Sequence, residues 1–285
     1  MTKNPKETIT TYEPDNSLRR GYLSVFGEIL AEVRQNRWLM YQLFKRDFLA
    51  LYKQSLLGIL WAFILPLASM ALFMLLNRSG IFLIGDTGTP YPIYAVLGLS
   101  FWQLFSAGIV ASSNALVKAG SMIIQINFSR KSLVLASSGQ AAVSFLIQFI
   151  LVLLLFAWYG IMPSAGILAV PLVVVPIVLL TLGMGFIFAL LNGIFRDVGT
   201  VLSMMVTFLM FLTPVLYMKP KHGVLLQVTK YNPLYYLVSG ARDLVLTGTI
   251  AEQDGFFLSV LLSVAVFLAG LVVFHLTETR IAERI

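Results

Sequence analysis

The sequence predicts an all-α integral membrane protein with six transmembrane helices, an N-terminal amphipathic interfacial helix, and short re-entrant helices between spans five and six. Hydrophobic residues make up 58% of the chain and charged residues only 12%, and the mean hydropathy is +0.87. Soluble domains carry about 25% charged residues, so this composition is typical of a polytopic membrane protein. Long charge-free runs and short basic loops then give the number and direction of the spans.

Residues 1–37 are predicted to form a polar cytoplasmic N-terminal segment, and residues 38–285 one transmembrane domain. Residues 1–20 contain no apolar stretch of the kind that a cleavable signal peptide needs, so we expect the first span to direct insertion. The chain has no cysteine, which excludes disulfides, iron–sulfur clusters and thiolate zinc sites. The net charge of +7 is interpreted as a topology signal, because so apolar a chain is not expected to bind nucleic acid.

The first predicted element is an amphipathic helix over residues 40–53, lying along the membrane interface. At about 100° per residue, one side of this helix collects apolar and aromatic side chains, although Leu43, Asp47 and Leu49 interrupt the pattern. The apolar side comprises Met40, Tyr41, Phe44, Phe48, Leu51 and Tyr52, and the opposing side carries Gln42, Lys45, Arg46 and Lys53. We expect the three cations to bind lipid phosphates.

Five charge-free runs follow this helix, and they predict six spans. Four of the runs are long enough for one helix of about 20 residues each. The run over 132–195 must hold two helices, with a turn at Gly160, Pro163 and Gly166. The predicted spans are 55–76, 92–117, 133–159, 167–191, 198–218 and 256–276.

The distribution of basic residues predicts that both termini are cytoplasmic. In this orientation 15 of the 20 lysines and arginines lie inside and 5 lie outside, as the positive-inside rule requires. The short connections after spans two and four carry the most weight, because short loops follow the rule best.

The segment 219–254 is too short to span the membrane. Its apolar part, residues 231–241, has 11 residues between Lys230 and Arg242. It begins with Tyr231, Asn232, Pro233, Tyr235 and Tyr236, where a proline suits a helix start and tyrosines suit the interface. We therefore predict short helices that enter the outer leaflet and return, because backbone at that depth must be helical or packed on protein.

The chemistry that the sequence lacks narrows the function. No ionisable residue lies in the middle of a predicted span, whereas ion-coupled carriers use buried acids or histidines. The chain has no G-x-x-x-x-G-K-[ST] motif for ATP and no recognisable hydrolase or metal motif. We therefore expect a passive or partner-driven pathway and no enzyme activity, cofactor or metal in this chain.

The connection between spans two and three is unusually apolar for a loop. Its segment 118–131 reads KAGSMIIQINFSRK. It is interpreted either as an interfacial loop resting on lipid or as a short helix that docks in a groove of a cytoplasmic partner. The residues assigned to the docking hypothesis are Lys118, Ile123, Ile124, Ile126, Phe128, Arg130 and Lys131.

Two further sets of residues have alternative interpretations. Aromatic side chains suit either a sliding surface for sugar rings or ordinary packing and interfacial belts. This set comprises Trp61, Phe101, Trp102, Phe105, Phe208, Phe211 and Tyr217. Arg196 and Asp197 at the inner mouth act either as topology and capping residues or as a salt bridge or partner contact that moves with a gate.

Six motifs, in this order and spacing, resemble the transmembrane subunits of ABC-2 type exporters, in particular the permeases for O-antigen, capsule or teichoic-acid polysaccharides. The motifs are KRDFLALYKQSLLGILWAFILP (45–66), GLSFWQLF (98–105), INFSRKSL (126–133), FRDVG (195–199), TPVLY (213–217) and YNPLYYLVSGARDLVL (231–246). The chain departs from the pattern at Ser129, where a proline is expected before the basic residue.

The resemblance implies a homodimer in the bacterial inner membrane with two copies of a separate ATPase subunit, which binds the ATP and Mg²⁺. It implies that 118–131 is the coupling helix, and that the interfacial helix with Lys45, Arg46 and Lys53 also touches the ATPase. The substrate would be a lipid-linked polysaccharide that enters between spans one and five, and O-antigen is the preferred identity. The alternatives are an exporter of small apolar compounds or lipids and a non-transporting membrane scaffold.

Overall fold

The computed structural model describes residues 27, 31–53, 56–80, 84–125 and 129–281, which are mostly helical and contain no β-strand. Within these described ranges we number ten α-helices in chain order: α1 Arg37–Lys53, α2 Trp61–Arg78, α3 Tyr91–Ser113, α4 Ala115–Gln125, α5 Lys131–Tyr159, α6 Val170–Ile194, α7 Asp197–Leu212, α8 Val224–Lys230, α9 Pro233–Leu246 and α10 Gln253–Ile281. Short 3₁₀ helices, Gly58–Leu60 and Ala165–Ala169, precede α2 and α6.

Five helical segments in the described ranges are long and apolar enough to cross a membrane, which confirms the predicted all-helical, multi-pass class. They are Trp61–Arg78, Tyr91–Ser113, Lys131–Tyr159, Ala165–Ile194 and Gln253–Thr277. They match predicted spans one to four and six. The turn predicted between spans three and four is confirmed, because α5 ends at Tyr159 with Gly160 in the left-handed conformation.

The predicted fifth span is shorter than expected, so the count of six spans is not confirmed. Helix α7 has 16 residues and is about 24 Å long at 1.5 Å per residue, against a hydrocarbon core of about 30 Å. It ends at Leu212 because Thr213 is extended (φ −105°, ψ 122°) before Pro214, and a residue before proline avoids the helical region.

Helix α3 forms the centre of the protomer. Most of its residues are buried, including Phe101 and Phe105, and it packs against α5 and α6. A second apolar cluster joins α4, α5, α6 and α10 through Leu116, Val134 and Phe274. Helix α2, in contrast, buries only Pro66 and Phe73, so the first span lies at the edge of the protomer.

Helices α6 and α10 approach each other most closely at two glycines. A Cβ atom on Gly270 would lie 2.2 Å from the carbonyl oxygen of Gly183, and one on Gly183 would lie 2.6 Å from the Cα atom of Phe267. Glycine at a helix crossing lets two backbones touch, which is how apolar spans gain contact area within lipid.

Candidate functional site

The end of α7 leads into an irregular segment, residues 213–217, that is buried inside the protomer. Three side chains donate to its carbonyl oxygens. Arg242 Nη1 donates to Val215 O (3.0 Å), Tyr91 OH to Leu216 O (3.1 Å) and Tyr94 OH to Tyr217 O (3.2 Å). Irregular backbone at membrane depth is tolerated only where protein groups satisfy it. We call Tyr91, Tyr94 and Arg242 the outer clamp, after the side of the membrane that the sequence predicts for this segment.

Arg242 is the central residue of the outer clamp. The sequence places it among the cations of the outer segment, but its residue surface is only 3% exposed. Its guanidinium lies 3.8 Å from the centroid of the Tyr94 ring, a cation–π distance. Gly98 makes room for the segment, because a Cβ there would lie 2.6 Å from Val215 O. The outer clamp therefore closes the end of span five against span two and α9.

Arg242→Met is expected to release the segment 213–217. The substitution removes a charge-assisted hydrogen bond worth about 1.5–3 kcal/mol and the contact with the Tyr94 ring. Because the chain has no cysteine, a Val215→Cys substitution introduces the one thiol that a maleimide can label. We expect a membrane-impermeant maleimide to label this cysteine roughly tenfold faster in the Arg242→Met background. The reason is that a loss of about 1.4 kcal/mol raises the population of the released segment tenfold.

Lys230→Met is the matched control for this labelling experiment. Lys230 is an exposed cation of the same outer segment, and its side chain takes no part in the outer clamp. Equal labelling rates in the Arg242→Met and Lys230→Met backgrounds would show that the outer clamp does not hold the segment.

The predicted helices between spans five and six are present as α8 and α9, although their depth in a membrane stays a prediction. Asn232 precedes α9, where its Oδ1 accepts from the Leu234 amide (3.0 Å) and its Nδ2 donates to Thr213 Oγ1 (2.8 Å). Pro233 begins the helix, as predicted. Asn232 therefore caps α9 and also ties this helix to the end of α7.

A polar cluster lies beside these helices. Glu252 accepts from Lys219 Nζ and from Tyr235 OH, both at 2.6 Å. Partial burial opposes ionisation of Glu252, but the two hydrogen bonds and the charge of Lys219 hold its pKa below the usual value. Burial, and then the bond to Glu252, raises the pKa of Tyr235. Tyr236 lies half-buried beside Tyr235 and donates to Lys230 O, whereas Tyr231 is exposed.

The predicted coupling segment 118–131 is helical through residue 125, with a kink at Gly120 (φ 32°, ψ −111°) that favours glycine. Lys118 is exposed. The side chains of Ile123 and Ile124, and the whole of Ile126 and Phe128, lie outside the described residues. Docking of this segment on a partner therefore stays a prediction.

Lys131, the last residue of the predicted coupling segment, makes a contact within this chain. Lys131 Nζ lies 2.7 Å from Glu32 Oε2, and the Lys131 side chain is only 1% exposed. Ser129 Oγ donates to the same carboxylate oxygen at 3.2 Å. Lys131 and the half-buried Arg130 are both predicted from the sequence to contact a partner. The structure instead gives Lys131 a carboxylate within this chain and links residues 31–36 to the start of span three.

Helix α1 packs partly on protein. Leu43, one of the residues that interrupt the predicted pattern, is its buried residue, and Phe44 lies against Gly139 of α5. Lys45 and Arg46 are exposed, and Arg46 pairs with Asp47 at 2.8 Å. The side chain of Lys53 lies outside the described residues. Binding of these cations to lipid or to an ATPase is not tested by these contacts.

At the predicted inner mouth, Arg196 and Asp197 are both exposed. Asp197 lies in the first turn of α7, where a carboxylate stabilises the helix dipole. The buried polar contact nearby belongs to Asn192, whose Oδ1 accepts from the Gly199 amide (2.8 Å) and whose Nδ2 donates to Ser113 O (3.0 Å). Sequence reasoning missed Asn192; its only signal is a lone amide near the end of a charge-free run.

The seven predicted channel aromatics divide into two groups. Phe101, Trp102, Phe105 and Tyr217 are buried in the protomer core, where Phe101 packs on Phe145 and Tyr217 OH donates to Phe211 O. Trp61, Phe208 and Phe211 are exposed. Burial favours a packing role for the first group in this conformation, and lining of a passage stays a prediction for all seven.

The apolar helices, the buried segment 213–217 and the kinked connection at Gly120 together define a helical multi-pass membrane protein. The chain belongs to the ABC-2 type transporter family, whose sequence profile matches residues 39–246. It is 27% identical over 245 residues to the O-antigen export system permease protein RfbA of Klebsiella pneumoniae, covering 84% of this chain and 91% of that protein. It is 28% identical over 189 residues to RfbA of Myxococcus xanthus, covering 66% and 72%.

Proposed function

We propose that this chain is the permease subunit of an ATP-driven exporter that carries a lipid-linked polysaccharide, most specifically O-antigen, across the bacterial inner membrane. The observation that carries the proposal is similarity over 84% of the chain to a protein named as an O-antigen export permease. The sequence contains no P-loop, so a separate ATPase subunit, which binds the ATP and Mg²⁺, would supply the energy.

The exposed surface of α7 supports a homodimer. Large apolar side chains on this helix are exposed, namely Val201, Met204, Met205, Phe208 and Phe211. Lipid can cover such a surface, but α7 alone is shorter than the hydrocarbon core. A second copy packed along it would cover the strip and place exposed aromatics of both copies beside one passage.

Coupling in this proposal runs from the ATPase to the spans through two elements on the cytoplasmic side. Closure of the ATPase subunits around nucleotide would push on residues 118–131 and on α1, and the spans would follow as rigid bodies. Residues 31–36 join these two elements through the contact of Glu32 with Lys131. Both termini would be cytoplasmic, with residues 1–37 as a separate polar segment.

Deletion of the chain is expected to abolish long polysaccharide at the cell surface while the lipid-linked glycan accumulates inside. The physical reason is that a polar polymer does not cross hydrocarbon without a protein passage. Silver-stained gels of surface polysaccharide and mass spectrometry of the inner-membrane lipid-linked pool measure both effects. Purification in mild detergent should bring an ATPase subunit with the chain.

Complementation with the intact chain and with Phe128→Asp separates transport from assembly. The intact chain should restore export, whereas Phe128→Asp should keep ATPase association and hydrolysis but lose export. An unchanged surface glycan after deletion would contradict the proposed function. Normal export by Phe128→Asp would contradict only the coupling role of residues 118–131.

A further inference from the structure

A polar cleft lies within the membrane-spanning region, between α2, α3 and α5. Its volume is about 210 Å³. The polar lining residues are Ser69, Gln103, Ser144 and Gln148, and the apolar ones are Trp61, Ala62, Leu65, Pro66 and Leu99. We call it the amide cleft. Polar side chains on membrane-spanning helices are costly, and neither the outer clamp nor the contacts of Lys131 use this cleft.

The amide of Gln148 is unsatisfied. Gln148 is only 4% exposed, and its Oε1 is buried without a hydrogen-bond partner. Some buried hydroxyls in the spans avoid this penalty by bonding to their own helix, as Thr181 does with Ile177 O at 2.7 Å, whereas Ser112 and Ser132 share it with Gln148. A buried polar group without a partner is destabilising. Gln148 also lines the amide cleft, where a small side-chain rotation would bring its Oε1 to a donor on a ligand.

The wall formed by α2 adds a second acceptor. Pro66 lies inside α2, and a proline cannot donate to the carbonyl four residues before it. That carbonyl belongs to Ala62, and both residues line the amide cleft. Gln103 is also weakly engaged, since its Oε1 accepts only a 3.5 Å contact from Ser106. Three elements thus bring hydrogen-bonding groups with spare capacity to one place.

The chemistry of the lining selects the ligand. Among the residues that the structure describes, no charged one lines the amide cleft, so a phosphate or pyrophosphate would lack a counter-ion there. Two amides and two hydroxyls are unsuited to a hydrocarbon chain, but they match the alternating donors and acceptors of a sugar. Trp61 adds a partly exposed indole on which the apolar face of a sugar ring can pack. The volume is below the ~300–1,000 Å³ of pockets for drug-sized ligands, so the cleft suits one ring and not a longer segment.

We propose that the amide cleft binds one uncharged sugar ring of the exported glycan, through Gln103 and Gln148 and against Trp61. This inference rests on the proposed function and adds the place and chemistry of a contact within it. Since α2 is the least buried span, a ring can reach the cleft from the side of the protomer where α2 is exposed.

Photo-crosslinking in glycan-producing cells tests the contact directly. The photoreactive residue p-benzoylphenylalanine replaces Gln103 in the full chain, and the purified protein is probed with an antibody to the glycan. We expect a cross-linked glycan ladder. The control position is Leu153 on α5, which is exposed at the lipid-facing surface, and there we expect cross-links to phospholipid only. If position 103 cross-linked only to phospholipid while export remained intact, the proposal would be overturned.

Gln148→Leu separates a ligand contact from a structural role. If the amide serves the ligand, its removal takes away an unpaired buried group, so the melting temperature should stay or rise while export slows about three- to tenfold, the effect of one hydrogen bond. A lower melting temperature would mean that the amide holds the fold, and unchanged export would mean that it binds no ligand. Either result overturns the proposal. The proposed function fails separately, if deletion of the chain leaves surface glycan unchanged.

Discussion

Glu32→Gln is expected to destabilise the protein by about 3–5 kcal/mol, the effect of breaking a buried ion pair. The reason is the asymmetry of the pair. The Lys131 side chain is 1% exposed and that of Glu32 is 17% exposed, so loss of the carboxylate leaves the more deeply buried charge without its 2.7 Å counter-ion. The bond from Ser129 Oγ would weaken in the same step, because the glutamine amide offers a neutral acceptor in place of a carboxylate.

Lys131→Met should be milder than Glu32→Gln, because the remaining carboxylate keeps some contact with water. The double variant Glu32→Gln/Lys131→Met should recover much of the stability, since replacing both members of a buried pair is often neutral. Thermal unfolding in detergent, followed by tryptophan fluorescence, measures all three. The matched control is Asp47→Asn, which breaks the exposed pair with Arg46 and should change stability by less than about 1 kcal/mol.

The opposite order of effects would contradict this account of Lys131. If Glu32→Gln and Asp47→Asn melted alike, the buried contact would not stabilise the connection between residues 31–36 and span three. The order also bears on coupling. A stabilising pair would support the proposal that residues 118–131 and the chain preceding α1 act together, whereas a neutral pair would leave the two elements independent.

The sequence predicted the spans well because their signal is local. Charge-free runs and a glycine-marked turn locate α5 and α6 to within a few residues, since hydrocarbon thickness fixes the length of a span. The proline in YNPLYY likewise predicts the start of α9. The same reasoning gave the wrong end for span five. The charge-free run continues to residue 218, but the backbone leaves the helix at Thr213, before Pro214.

The contacts of the candidate site could not be predicted, because they join residues far apart in sequence. Tyr94 and Tyr217 are 123 positions apart, and Lys131 and Glu32 are 99 apart. Charge counting placed Arg242 in an outer segment and Lys131 at an inner surface. Counting fixes the side of the membrane but does not say whether a neighbouring chain segment buries the cation. The unpaired amide of Gln148 is likewise visible only once α2, α3 and α5 are placed together.

Gly270→Val is expected to prevent α6 and α10 from packing and to abolish recovery of folded protein. Even the first added carbon would lie 2.2 Å from Gly183 O and 2.9 Å from Gly183 C, distances at which backbone atoms overlap. The obstacle is backbone on a facing span and not the end of a flexible side chain, so no rotamer change relieves it. The two helices would have to separate, and close contact between small residues is what holds spans together in lipid.

Ala269→Val is the matched control, because Ala269 is the preceding residue on the same helix and is exposed. It adds a similar volume on the lipid-facing side and should leave the yield of monodisperse protein and the melting temperature nearly unchanged. Size-exclusion profiles of the two variants, expressed and extracted in parallel, measure the difference. A Gly270→Val protein that elutes and melts like the control would mean that α6 and α10 do not approach at this glycine. Since α6 also carries Asn192 and packs against α3, loss of this one contact should propagate to the inner mouth and to the core around span two.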